Sequence, residues 1–490
     1  RLWVCDVMNY RGNQGSRPEG DRILILEDSD GDGHADSSTT FYQGSDVDSA
    51  LGICVLPGKP LRVVVSCSPH VWLMTDDDGD DLADRKVALL SKTGIPQHDN
   101  SAHAFVFGPD GRFYWNIGNS HEGVHDAAGR ILVDRRGRAL RPDGKPFRHG
   151  MAFRSNLDGS ELDVLAYNQR NSYELTVDSF GNVWFSDNDD DGNQGTRIGL
   201  ALEGGNYGYT DELTGRSWRD SRRVNASGDI RRRHWHANDP GSIPNIASVG
   251  NGSPSGIVAY EGEMIPTLRR CLIHCEPGLN LVRKIALLPD GAGYQAEITP
   301  LIDGAGDSWF RPVDAAVAPD GSIFIADWYD PGVGGHRQAD LGRGRIYRIA
   351  AADAAGYAVP DYDYASPEGA AKAPRSGSMA VRNLAWTALS AMGSKASPAL
   401  QALTDDGDPI VRARAYWLLS QGSNGGSTHL RRAAEDADAE VRAAAVRMAR
   451  GRSETLPAVV KLLAEDPSPT VRRACAIALC DLDDQRAKPL

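Results

Sequence analysis

Along the first 350 residues, apolar and polar positions alternate with period two in short runs, each opened by a glycine turn. Gly111-Arg-Phe113-Tyr-Trp115-Asn-Ile117, Gly181-Asn-Val183-Trp-Phe185-Ser-Asp187 and Gly321-Ser-Ile323-Phe-Ile325-Ala-Asp327 share one frame, and Leu2, Val4 and Asp6 fit it at the start. Alternation after an Asp-Gly type of turn marks the second strand of a hairpin. Six such units, beginning near residues 1, 50, 100, 170, 252 and 310, predict a six-bladed β-propeller over residues 1–350, each blade a small antiparallel sheet. The first unit lacks strands that would lie upstream, so the start reads as truncated, and no signal peptide precedes it.

Residues 351–376 are rich in Ala, Pro, Asp and Ser and read as a linker. Beyond them the period changes. Val-Arg recurs at 381–382, 411–412, 441–442 and 471–472. Ala385, Ala415, Ala445 and Cys475 follow four residues after each Val, and Leu389, Leu419, Ala449 and Leu479 eight after. That is one apolar stripe of a helix. Ser378, Asp408, Asp438 and Ser468 stand where N-caps belong, and Pro409 and Pro469 follow at the first helical position. Residues 377–490 therefore read as a helix-pair solenoid that resembles HEAT repeats. The linker offers only Tyr357, Val359, Tyr362 and Tyr364 for docking, so two separable units with a small interface are expected. The fold class is mainly β with α.

Composition narrows the function. The formal charge is −13 and the pI about 5.4, which argues against a nucleic-acid-binding surface. With 53 glycines and 27 prolines the chain is turn-rich. No apolar run approaches the roughly 18 residues of a membrane span. The 7 cysteines form no CxxC or CxxCH, so neither a zinc ribbon nor a covalent haem lies within this chain. Cys271 and Cys275 read as buried free thiols.

Three acidic loops stand out. Asp28, Asp30, Asp32 and Asp36 occupy positions 1, 3, 5 and 9 of a loop with Gly33 at 6, a spacing that wraps oxygens around a Ca²⁺-sized cation. Thr39 replaces the Glu of a full EF-hand. Asp76, Asp78, Asp80 and Asp84 repeat the pattern, but Asp81 holds the glycine position and strains the turn. In the third, Asp187, Asp189 and Asp191, no acid follows at position 9. That loop reads either as an ion site of its own or as a channel-mouth loop that helps hold a cofactor's ion.

In a propeller the inner strand of each blade lines a central channel, and its start faces one mouth. Asn100-Ser101, Arg170-Asn171 and Phe310-Arg311 therefore converge, with His103 and Asp314 deeper and His98 outside. Cationic, amide and imidazole groups gathered there suit an anionic, planar ligand. They could equally seal the channel by bonding to one another.

Gly-Pro-Asp-Gly-Arg-Phe-Tyr (108–114), Asn-Gln-Arg-Asn (168–171), Glu-Gly-Gly-Asn-Tyr-Gly-Tyr (203–209) and Arg-Pro-Val-Asp…Pro-Asp-Gly-Ser-Ile-Phe-Ile-Ala-Asp-Trp-Tyr (311–329) resemble the soluble quinoprotein glucose and sorbosone dehydrogenases. They are closer still to bacterial multidomain propellers labelled membrane-bound dehydrogenases, which carry HEAT-like repeats. The resemblance implies oxidation of a sugar or sugar alcohol by hydride transfer to pyrroloquinoline quinone, assisted by Ca²⁺. It implies quinone contacts from Arg170, Asn171 and Arg311, and a cofactor ion held at Asp189 and Asp190. It implies a His base, for which His103 is preferred and His98 is the alternative, because Asn100 stands at the aligned position. Val313 replaces the second Arg of the later family motif. A periplasmic or extracellular setting and an external electron acceptor such as a cytochrome follow from the same resemblance. A protein partner for the repeats is a further expectation. Two rival readings remain: a non-enzymatic, Ca²⁺-stabilised binder of carbohydrate or protein, and a quinone-free carbohydrate lyase or hydrolase.

Overall fold

The structure is a computed structural model. It describes residues 1–141, 144–188, 195–216, 235–236, 241–250, 253–354, 356–422, 426–450, 452 and 454–482. Six sheets follow one another along the chain, as the glycine-led frame predicts, antiparallel but for a short parallel pair of Ala166–Tyr167 with Gly205–Asn206 at the edge of blade 3. Blade 1 pairs Leu2–Asp6, Asp21–Glu27 and Ser37–Gly44. The inner strands of blades 2 to 6 are Gly52–Leu56, Ala102–Phe107, Ser172–Val177, Ile257–Tyr260 and Pro312–Val317. Each touches the next, which builds the ring. Blades 6 and 1 meet through Tyr10 and Trp328, whose ring centroids lie 5.9 Å apart, and through Asn13 and Gln338.

The frame residues Phe113–Ile117, Val183–Asp187 and Ile323–Asp327 are the second strands of their blades. Leu2–Asp6 shares that frame and packs on the inner strand of blade 2, as other second strands pack on the next blade's inner strand. The innermost position of blade 1 therefore holds no strand among the described residues.

The helical part opens with a short helix, α1 (Pro367–Ala370), and then runs as α2 (Met379–Met392), α3 (Ser397–Leu403), α4 (Pro409–Gln421), α5 (Gly426–Ala434), α6 (Ala439–Ala449), α7 (Leu456–Leu463) and α8 (Pro469–Ala478). Val381, Val411, Val441 and Val471 are all buried, as the 30-residue repeat requires. Ser378, Asp408, Asp438 and Ser468 are the N-caps, and the two Asp side chains accept backbone N–H bonds.

The small interface expected between the two parts is not what forms. The propeller turns on the face opposite the channel mouth enter the solenoid directly. Phe180 sits inside the core built by α4 to α8. The Trp417 indole donates to Ser179 O at 3.0 Å, and Met379 and Trp386 pack into the core of blade 3. Gly111 is in the left-handed region at φ +78°, and a β-carbon there would collide with the Trp386 indole. Arg414 and Arg382 both reach Glu261, while Arg269–Asp408 and Arg450–Glu203 extend the seam. The docking residues come from the repeats and the hairpin turns, with Tyr362 and Tyr364 of the linker packing on the first repeat.

Candidate functional site

Strand direction brings the lead-ins of the inner strands and the loops after the second strands to one face. There Asn171 organises a chain of contacts. Its Nδ2 donates to Asp99 O at 2.8 Å, which fixes the amide orientation. Its Oδ1 then lies 3.3 Å from His103 Nε2 and can only accept, so Nε2 carries the hydrogen and Nδ1 the lone pair. His103 is fully buried, lies tilted against Tyr173 with 4.3 Å between ring centroids, and has no partner at Nδ1 among the described residues. Burial pushes its pKa down to about 4, against the opposing pull of the Asp99 carboxylate. The imidazole is therefore neutral near pH 7.

Other expected residues are employed differently. Asn171, expected to touch a quinone, has both amide atoms committed within the protein and orients His103. Arg170 is buried, and its N–H points to Asp187 Oδ2 at 3.3 Å. Asp187, expected among metal ligands, instead forms a wholly buried ion pair with Arg197 at 2.7 Å and accepts from Asn171 N. Arg311, expected as a quinone contact, donates to the carbonyls of Pro277 at 2.8 Å and Pro331 at 3.2 Å, clamping the mouth loops of blades 5 and 6. His98 lies at the rim, where its Nδ1 accepts from Asn100 N at 3.1 Å. Its Nδ1 also lies 3.4 Å from Asp99 Oδ1, so it shares with Arg11 the carboxylate near His103. Asp189, Asp190 and Asp191 lie outside the described residues.

The sequence reading missed the channel's acids. Glu174 Oε2 accepts from Ile257 N at 2.6 Å, and Asp314 Oδ1 accepts from Ala315 N at 2.7 Å. The two carboxylates flank the start of blade 5's inner strand. Asp314 is solvent-exposed, with Cys5, Tyr173, Glu174 and Cys275 near its carboxyl. Burial raises it to about 6, and it raises Glu174 further beyond what burial does. The reading also missed Arg11 and Asp99, paired at 2.7 Å across the mouth, 88 residues apart in sequence. No local pattern marks such a contact.

The two complete acidic loops are near-copies, each joining the last two strands of its blade on the face opposite the mouth. Asp28, Asp30 and Asp36 gather their oxygens in the first, and Asp76, Asp78 and Asp84 in the second. Asp32 and Asp80, expected in the ligand sets, do not join them: each bonds the N–H two residues on, at 2.7 and 2.9 Å. Gly33 and Asp81 both take left-handed backbone, φ +91° and +67°, which bears out the strained turn at Asp81.

A group of buried polar atoms around Asn171, where blades 3 and 4 meet, has no partner among the described residues. Both amide atoms of Gln169, Ser172 Oγ, Asn188 Oδ1 and His103 Nδ1 belong to it. Unpaired buried polar atoms are costly, so their clustering marks a place built for an oxygen-rich ligand or water. This donor and acceptor set, with Arg170 beside it, fits a planar ligand carrying several oxygens.

The molecule is thus a six-bladed propeller with a polar channel mouth, fused to a HEAT-type solenoid on the opposite face. Its sequence belongs to the family described as a domain of unknown function, DUF7133, whose model matches residues 1–353, and a HEAT-repeat model matches residues 427–490. A search of curated proteins gives no match. Among solved structures, the chain is similar to a PQQ-bound aldose sugar dehydrogenase from Streptomyces coelicolor, with 17% identity, a TM-score of 0.46, and coverage of 68% of this chain and 89% of that one. It is also similar to the apo form of a soluble aldose sugar dehydrogenase from Escherichia coli, at 14% identity, TM-score 0.44, covering 64% and 90%. A luciferin-regenerating enzyme matches at 13% identity and TM-score 0.35, covering 63% and 80%. The propeller assignment rests on the strand pairing above and not on these likenesses.

Proposed function

We propose that the channel mouth is the active site of an oxidoreductase that oxidises a sugar or sugar alcohol with pyrroloquinoline quinone as hydride acceptor. The observation that carries this reading is His103 Nδ1, a buried, unpartnered acceptor whose tautomer Asn171 fixes. Arg170, Gln169 and Asn188 would hold the quinone's oxygens, and the quinone would supply the hydride-accepting carbonyl. His103 would take the proton of the substrate hydroxyl at Nδ1, and the Asp99 carboxylate would stabilise the imidazolium that results. The acidic loops at 28–36 and 76–84 are read as structural Ca²⁺ sites. A periplasmic or extracellular setting, an external electron acceptor and a protein partner for the repeats belong to the same reading. No helix among the described residues is long and apolar enough to cross a membrane.

The test is reconstitution. Protein incubated with pyrroloquinoline quinone and Ca²⁺ should reduce an artificial dye when an aldose or sugar alcohol is added. His103→Gln should abolish turnover while quinone absorbance on the protein persists, and Arg170→Ala should weaken quinone binding. No quinone binding at all would refute the reading. A second reading draws on the Glu174–Asp314 pair, where burial and the Asp314 carboxylate raise the Glu174 carboxyl, which could serve as a general acid in carbohydrate hydrolysis. It predicts quinone-independent sugar release that Glu174→Gln abolishes.

A further inference from the structure

Blades 3 and 6 stand opposite each other in a six-bladed ring, yet their loops meet. The loop after the second strand of blade 1 carries Tyr10, Arg11 and Asn13, and the loop after that of blade 6 carries Gly334, Gly335 and His336. Arg11 Nη2 reaches Asp99 Oδ1, on the lead-in to blade 3, at 2.7 Å, and Arg11 Nη1 lies 3.4 Å from His336 Nδ1. A β-carbon on Gly334 would stand 3.8 Å from Asp99 Oδ2. Arg11 therefore fastens the blade 1 loop to the lead-in of blade 3, with the blade 6 loop lying beside it over the mouth.

The roots of this strap are apolar and firm. Tyr10 is buried against Trp328, and Gly335 lies flat on the Tyr10 ring, where any β-carbon would clash. Its tip is held differently. Arg11–Asp99 has 22% of each side chain exposed, so water competes with the ion pair and screens it in part. Gly334, in left-handed backbone at φ +69°, gives the tip no side chain with which to anchor itself. Directly beneath, Asp99 O holds Asn171, and Asn171 holds His103.

We infer that residues 7–13 and 331–338 form a strap over the mouth, latched by Arg11 on Asp99, and that its opening controls access to His103. The inference takes the mouth as the site, as the proposed function does, but its test needs no quinone or substrate.

The experiment is carbethoxylation of the full chain with diethyl pyrocarbonate, followed residue by residue by peptide mass spectrometry. His103 is neutral and has a free Nδ1, so access limits its rate. His274, fully buried in blade 5, reports unfolding. Arg11→Met and Asp99→Asn each remove the ion pair, and the latter keeps the backbone carbonyl that receives Asn171. Both should speed modification of His103 about three- to tenfold, the scale of a partly exposed pair, with His274 unchanged. Arg11→Lys should restore much of the slow rate. If His103 reacts no faster in either variant, or if His103 and His274 accelerate together, the latch is refuted. Faster His103 modification in a protein that binds no quinone would sustain the latch and refute the quinone reading.

Discussion

Replacing Glu261 by Gln tests the ionic seam that joins propeller to solenoid. Glu261 is 3% exposed and accepts from Ser179 N at 2.9 Å, Ser179 Oγ at 2.7 Å, Arg382 Nη1 at 3.0 Å and Arg414 Nη2 at 2.8 Å. Burial works to raise its pKa, but the Arg414 and Arg382 cations pull harder and the net shift is downward. Burial and the neighbouring Arg414 lower Arg382 to about 10. Glutamine keeps the shape and an oxygen for Ser179 N, but it puts an N–H donor where Oε2 accepts from Ser179 Oγ and both guanidiniums, and supplies no charge, leaving two crowded cations. Removing one partner of a buried pair costs about 3–5 kcal/mol. Arg382 keeps 18% of its side chain in solvent, which draws the expectation to the lower end, about 3 kcal/mol. Differential scanning calorimetry should show one transition for the wild type, because Phe180 belongs to the solenoid core. The variant should melt lower, with the solenoid separating first. Adding Arg414→Met should recover part of the loss by removing the orphaned cation. Since the folded pKa of Glu261 lies below its unfolded value, the stabilisation is present above the ordinary Glu range and lost as pH falls through the folded value. Wild type should therefore lose its advantage over the variant in acid. A cost under about 1 kcal/mol at pH 7, with no gain from the double variant, would refute the importance of the seam.

Chelation should lower the melting temperature and Ca²⁺ restore it, by about 2.7 kcal/mol at a hundredfold excess over Kd; Asp28→Asn combined with Asp76→Asn should remove the response. His103 and His274, depressed by burial to about 4 and about 3, bind protons more readily when unfolded. Stability should then fall with pH below about 6.5, by up to about 1.4 kcal/mol per unit for each, and flat urea denaturation midpoints from pH 7 to 5 would contradict this. Gly111→Ala should displace Trp386 and strain a left-handed turn, lowering the melting temperature, whereas Gly129→Ala, at φ +77° with open space around it, should show the backbone strain alone.

The strand frame and the 30-residue repeat were legible because each expresses a local period that burial enforces: Val441 and Val471 are fully buried because the stripe must face its neighbours. The convergence of Asn171 and His103 was legible for the same reason, since propeller geometry places inner-strand starts together. What the residues do there was not. Asn171 is spent on Asp99 O and His103, and Arg311 on two carbonyls, because neighbouring loops offer partners that no spacing encodes. The docking seam was hidden in turns: Ser179-Phe180 looks like any hairpin turn until a solenoid packs over it.

The seam also changes what the solenoid is to the channel. Helix α2 touches the far ends of the inner strands of blades 2 and 3, and Met379 Sδ accepts from Phe107 N at 3.2 Å. Arg382 and Arg414 reach the turns at Ser179 and Glu261 in blades 4 and 5, and Gly377 lies against Val317 of blade 6. Contacts with the inner-strand ends of five blades place the solenoid over the end of the channel opposite the mouth. Residues 1–350 expressed alone would expose Phe180, Phe107 and the Gly111 platform, and would open that end to water. Such a fragment should bind a hydrophobic dye and aggregate, and its Asp314 and Glu174 should titrate closer to ordinary carboxyls as burial is relieved. A monomeric, dye-silent propeller fragment with the stability of the full chain would show that the solenoid is an appendage and that the far end of the channel is sealed by the propeller itself.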